Sequence, residues 1–141
     1  MKLLAPLLAL FGAAQAAPPP LDVLALVEAV RQAEHSALDY VSPAGCRGVY
    51  QLSAGVWGEH SKQPHAWANS ADRLAVIETK RVALKHAHWI VEKALPALNL
   101  RPSVYAAALI WRAGFGNVAK LNLTSENIDF ARRVANLYSE P

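Results

Sequence analysis

The sequence is poor in cysteine, in charge and in strand-like patterning, and each shortage removes a class of protein. One cysteine among 141 residues cannot close a disulfide within the chain, so the fold is not a cross-linked scaffold. Charged residues make up 18%, and the formal net charge of +3 comes from interspersed acids and bases, which is not the footprint of a dedicated nucleic-acid binder. No stretch sustains period-2 alternation, and there is no internal repeat, low-complexity tract or second-domain linker. A Gly-rich phosphate loop, a His-Glu-x-x-His helix, paired cysteines and a nucleophile elbow are all missing, so neither a metal nor an organic cofactor is expected. What is plentiful is hydrophobic sequence, at 53%. With this length it supplies one core and is too little for two.

The first residues have the layout of a secretory signal peptide. Lys2 precedes an apolar run from Leu3 to Ala13, and Ala14-Gln15-Ala16 offers a small-x-small cleavage site. The run is short for a bilayer span and Pro6 interrupts it, which argues against a retained membrane helix. No cysteine follows the cleavage site, so a lipid anchor is not indicated. Residues 1–16 are expected to direct export to the periplasm or beyond, and 17–141 to fold as one domain.

The spacing of apolar residues predicts an all-α domain of about five to six helices. Asp22 can cap a helix to about His35 whose stripe is Val23, Val27 and Val30. Extended by four, that stripe arrives at Glu34. A short helix is expected from Val49 to Trp57, then a polar loop from Gly58 to Asn69 with Trp67 exposed or half-buried. Ser70 can cap a long helix to Leu95, stopped by Pro96, with Leu74, Ile77, Leu84, Val91 and Leu95 inward and Arg81 and His88 on the same line. Pro102 opens an Ala-rich helix from Ser103 to Ala113, broken by Gly114-Phe115-Gly116. Thr124 can cap a last helix with Ile128, Ala131, Ala135 and Tyr138 as its stripe.

Most polar residues have plain structural readings. His88 on an apolar stripe reads as a hydrogen-bonded core histidine, and His86, two residues away, cannot share a metal with it. His60 and His65 flank a solvated loop, and Cys46 reads as a small residue packed in a turn. Glu34 is different. A carboxyl at the buried end of a helix loses hydration, which raises its pKa. A glycosidic oxygen leaves only when protonated, and a partly protonated Glu can supply that proton. The structural alternative is a helix-terminal Glu bound to a loop amide or an arginine. Glu28 faces elsewhere, so the helix offers no carboxylate pair.

The residues around Glu34 add to this. Glu34-His35-Ser36 followed by Val41-Ser42-Pro43-Ala44-Gly45-Cys46-Arg47-Gly48-Val49-Tyr50-Gln51-Leu52 resembles the signature of the soluble lytic transglycosylases, within the lysozyme-like superfamily. That family reads Glu-Ser, a short loop, then Val-Ser-x-x-Gly-Ala-x-Gly-hydrophobic-x-Gln-hydrophobic. Trp57 matches the Trp that closes the following helix in many members. Ala107-Ala108-Leu109-Ile110-Trp111-Arg112-Ala113-Gly114-Phe115-Gly116-Asn117-Val118 is similar to the family's second motif, Ala-Tyr/Trp-Asn-Ala-Gly-x-Gly-x-Val.

The resemblance implies a lysozyme-like fold and a peptidoglycan lytic transglycosylase, acting as a monomer on glycan strands without a cofactor. Glu34 would be the acid/base, with Ser36, Tyr50, Gln51, Trp111 and Arg112 along the substrate groove. A secretion or pilus apparatus is a conceivable partner for such an exported enzyme. Two positions differ from the family. His35 stands where Ser follows the Glu, and Arg112 replaces the Asn. If Arg112 reaches Glu34, it is expected to lower the carboxyl pKa and oppose acid catalysis; otherwise it meets solvent or the carboxylates of stem peptides. The alternatives are a hydrolytic muramidase, with Asp39 or Glu59 as second carboxylate, and a catalytically weakened glycan-binding or secretion-accessory protein.

Overall fold

A computed structural model describes residues 20–139. The expected export leader lies outside these described residues. What is described is an all-α domain built on one contiguous apolar core, with no helix long and apolar enough to cross a membrane.

Helix α1 (Val23–Glu34) starts where Asp22 accepts the Ala25 amide at 3.1 Å, the N-cap its sequence predicts. It buries Leu26, Val27, Ala29, Val30 and Ala33. His35 ends it in the left-handed region, at φ +49. The Asp22 backbone N–H also donates to the Tyr138 hydroxyl at 2.9 Å, tying the start of the domain to its last helix.

The next segment differs from the expected helix over Val49 to Trp57. Arg47 forms isolated β-bridges with both Val41 and Leu52, and its N–H and C=O exchange bonds with Leu52 at 3.0 and 3.1 Å. Closing that pair forces residues 48–51 into a turn, with Gly48 and Gln51 at positive φ. Helix α2 (Ala54–His60) therefore starts later, capped by Ser53. Part of the expected polar loop is also helical, since a 3-10 turn spans His65–Asn69. Trp67 there is half-buried.

Helix α3 (Arg73–Trp89) is capped by Asp72 rather than Ser70. Its inward face is Ala75, Thr79, Val82, Ala83, His86 and Ala87, whereas Leu74 is 66% and Ile77 58% exposed. The small residues let neighbouring backbones approach, so the face that packs closest is not the one with the largest side chains. A π-helical turn (Ile90–Ala94) follows and leads into the short segment Leu95–Ala97. An extra residue per turn rotates the face by about 100°, which brings Leu95 into the core. Pro96 does not stop the rod. It ends past Ala97, where Asn99 turns left-handed at φ +54 and the Leu100 amide bonds back to the Leu95 carbonyl at 3.0 Å.

Helix α4 (Val104–Ala113) carries Ala106, Ala107, Ala108, Leu109 and Ile110 inside, as its Ala-rich sequence suggests. Gly114 (φ +87, ψ +155) separates it from α5 (Phe115–Ala119). Helix α6 (Ser125–Leu137) has the capping box at Thr124 and Asn127. It buries Phe130, Ala131 and Val134 against α4 and α1, while Ala135, expected inward, is exposed. Helices α1, α4 and α6 thus hold the C-terminal end of α1 beside the C-terminal end of α4.

Candidate active site

A cavity of about 800 Å³ opens where those two helix ends meet the loop after α1. Glu34 closes α1, the loop residues Ser36, Tyr40, Ser42, Cys46 and Gln51 lie on one wall, His86 and Trp89 of α3 on another, and Trp111, Arg112 and Phe115 on a third. Glu34 is the one Asp or Glu among the described residues lining it.

The Glu34 side chain is only 5% exposed. Arg112 reaches it, with Nη1 donating to Oε1 at 3.3 Å and to Oε2 at 3.1 Å. The two influences oppose one another. Burial raises the carboxyl pKa, while the Arg112 charge and hydrogen bond, and the more distant charge of Arg133, lower it. Burial prevails, and the pKa stays above the ordinary glutamate value. Arg112 thus reaches Glu34 and lowers its pKa as expected, but burial outweighs that lowering. Glu28, on the same helix and paired with Arg31, shows what happens in water: the hydrogen bond from Arg31 holds it down to about 2.

His35 follows Glu34 as the left-handed cap, a conformation His adopts more readily than β-branched residues do. Its side chain is exposed, and it does not line the cavity. Ser36, the next residue, does line it, with Oγ donating to the Glu34 carbonyl at 3.2 Å. Gln51 donates Nε2 to the Gly48 carbonyl at 2.8 Å, which leaves Oε1 to accept from a ligand. Trp111 is anchored by its indole N–H to the Tyr50 carbonyl at 3.3 Å.

Tyr50 corrects the sequence reading. The residue is 8% exposed, is not part of the cavity lining, and lies close enough to Glu28 and Arg31 for both charges to reach its hydroxyl. The turn over residues 48–51 puts Gln51 on the cavity side and Tyr50 in the core, so Tyr50 contributes only its carbonyl. Asp39 also stays outside the cavity, and Glu59 lines a smaller adjoining one of about 390 Å³, with His60, His86 and Trp89.

Sequence reasoning missed the α3 wall. His88 is exposed and pairs with Glu92 at 3.3 Å, so it is not the core histidine. His86 is. It is 8% exposed, and burial, with a smaller effect from His60, lowers its pKa to about 4. Its ring lies 4.9 Å from Trp111 and stacks on Trp89 at 5.9 Å with 9° between planes. Trp89 meets the edge of Phe115 at 6.0 Å. Trp89, Phe115 and Tyr40 are partly exposed, giving the cavity an aromatic rim. His65 bonds the Leu52 carbonyl at 2.8 Å instead of standing in a solvated loop. Cys46 is a free thiol in the turn begun by Ser42, as expected, but it also lines the cavity. No group of His, Cys, Asp and Glu suited to a metal ion occurs among the described residues.

Chemically, the arrangement offers one protonatable carboxyl in a largely buried position, an amide acceptor and several aromatic faces. Comparison with known proteins finds no matching family model, curated protein or solved structure.

Proposed function

We propose that this chain is an exported peptidoglycan lytic transglycosylase with Glu34 as its single acid/base. One observation carries the reading: a buried, raised-pKa carboxyl stands alone as the acid in a cavity rimmed by aromatic side chains. Aromatic rings suit the C–H faces of pyranose sugars, and a carboxyl held partly protonated suits a leaving glycosidic oxygen. The resemblance of the two motifs supplies the substrate, the bond from N-acetylmuramic acid to N-acetylglucosamine.

In this mechanism Glu34 protonates the leaving oxygen as the bond to C1 breaks. The resulting carboxylate then takes the proton of the muramyl 6-hydroxyl, and that oxygen closes onto C1. The product is a 1,6-anhydro end, and no water is consumed. An internal nucleophile needs no second carboxylate, which agrees with the composition of the cavity wall. Gln51 and Trp111 hold the sugar, and Ser36 steadies the turn behind Glu34. The protein works as a monomer in the cell envelope, and neither nucleic acid nor a cofactor takes part.

A second reading is a weakened glycan-binding protein, which the Glu34–Arg112 ion pair favours. Digestion of purified peptidoglycan, with mass spectrometry of the released muropeptides, separates the readings. Anhydro-muramyl ends that vanish in Glu34→Gln support the transglycosylase. Reducing ends identify a hydrolase, and sedimentation with sacculi without cleavage identifies a binder.

A further inference from the structure

Arg112 is placed to do more than neutralise Glu34. It spans both carboxyl oxygens through a single nitrogen, Nη1. Its guanidinium carbon sits over the Phe130 ring, 5.4 Å from its centre, at cation–π distance. Among the described residues, Nη2 and Nε donate no hydrogen bond. The side chain is 39% exposed and lines the cavity, while the carboxyl it holds is almost fully covered. Guanidinium binds a carboxylate best through two parallel hydrogen bonds, and here that edge is uncommitted.

We propose that Arg112 is a receptor for a carboxylate on the bound glycan, and that this carboxylate draws its charge away from Glu34, so that more of Glu34 carries its proton when an acidic sugar is in the groove. The inference rests on the cavity being a glycan-cleaving site. With an acidic ligand the ion pair is exchanged, and Glu34 keeps its buried position while losing its nearest positive charge. It then takes a proton from solvent and later passes that proton to the leaving oxygen. A neutral glycan offers Arg112 nothing in exchange, so the ion pair stays in place and less of Glu34 is held in its acid form. Arg133 is the other cation whose charge reaches Glu34, and it does not line the cavity. Arg112 is thus a positioning residue that confers selectivity for acidic glycans.

The carboxylate can come from the lactyl ether of a muramyl sugar or from its stem peptide. The test compares wall glycan stripped of stems, the same glycan with its carboxyls methylamidated, stem-bearing peptidoglycan and neutral N-acetylglucosamine oligomers. Wild type is expected to cut the stripped or the stem-bearing glycan at least about tenfold faster than the amidated and neutral ones, a ratio that one charge-assisted contact supplies. A fast stripped glycan assigns the lactyl group, and a fast stem-bearing glycan alone assigns the stem. Arg112→Gln should bring charged and amidated glycans within about twofold, and Arg112→Lys, which keeps the charge without the fork, should leave a smaller preference. Equal rates in wild type, or a preference undiminished in Arg112→Gln, would overturn the proposal. If Arg112→Gln does not fold, Arg112→Lys decides, and an undiminished preference counts against it.

If wild type cuts no glycan, the cleavage reading fails and binding judges Arg112 separately. Tryptophan fluorescence should then report tighter binding of the charged glycan than of its amidated form. Equal affinities overturn the receptor role.

Discussion

Replacing Gly48 with alanine tests the turn that places Gln51, and the structure sets the size of the effect. Gly48 has φ +76, and an added Cβ would stand 2.0 Å from the Ala68 carbonyl oxygen and 3.0 Å from its carbon. Those atoms are backbone, so the turn or the 3-10 segment at His65–Asn69 must move. Left-handed φ costs a residue with a Cβ about 1–2 kcal/mol, and forcing extra volume into a packed site costs about 1–3 kcal/mol. Together they predict a loss of about 2–5 kcal/mol, a large share of the roughly 5–15 kcal/mol of a typical domain. Gly45 is the control: its φ is +85, but nothing lies within 4 Å of an added Cβ. Gly45→Ala should therefore lose only about 1–2 kcal/mol. Urea unfolding followed by circular dichroism compares them. Because the Gly48 carbonyl accepts the Gln51 amide, glycan cleavage should fall in Gly48→Ala as well. If Gly48→Ala is no less stable than Gly45→Ala, the close approach to Ala68 is wrong and so is the placement of Gln51.

Glu34→Gln should abolish turnover yet raise the Tm at neutral pH. Burial raises the folded-state pKa of Glu34, so the stability it contributes is complete below its unfolded pKa and is lost as pH rises through the folded one. The variant's advantage in Tm should therefore shrink as pH falls through the folded pKa toward the unfolded value of about 4.3, and change no further below it. On α3, Leu74→Ala should change stability by no more than about 0.5 kcal/mol. Ala83→Leu, at a fully buried position, should cost about 1–3 kcal/mol or more by overpacking, and chemical denaturation reads both. The His86 ring should stay neutral down to about pH 4 in an NMR titration. Its depressed pKa means that the stability it contributes is present above its unfolded pKa and is lost as pH falls through the folded one. An ordinary titration near pH 6.5 would remove His86 from the packed wall.

Local signals were the most legible ones. Asp22 and Thr124 cap the helices their positions suggest, because a side-chain oxygen near three free amides acts over a few residues, whereas Ser103, expected inside the helix that Pro102 opens, is its cap. Glu34 was found because it continues the stripe of α1. The inward face of α3 was not legible, since choosing large residues as the stripe ignores how closely an alanine face lets helices pack. The π turn then rotated the end of that helix, and nothing in Ile90–Ala94 announces it. Trp89 and Phe115 escaped notice for the same reason: their place on the rim depends on the phase of α3 and on the turn at Gly114. The resemblance puts Tyr50 beside Gln51 on the groove, and only the turn that Arg47 closes between Val41 and Leu52 shows the two side chains parting. The consequence of Arg112 also needed the structure, because the sign of the Glu34 shift is a contest between burial and charge.

That contest is the centre of the account, and it can be measured directly. The side-chain carboxyl carbon of Glu34, labelled and followed by NMR across pH in the wild-type protein and identified by its loss in Glu34→Gln, reports the titration. The midpoint should lie above the ordinary glutamate value of about 4.3, because desolvation outweighs Arg112. A midpoint at or below that value would mean that the ion pair prevails, and that Glu34 is a structural carboxylate and not an acid.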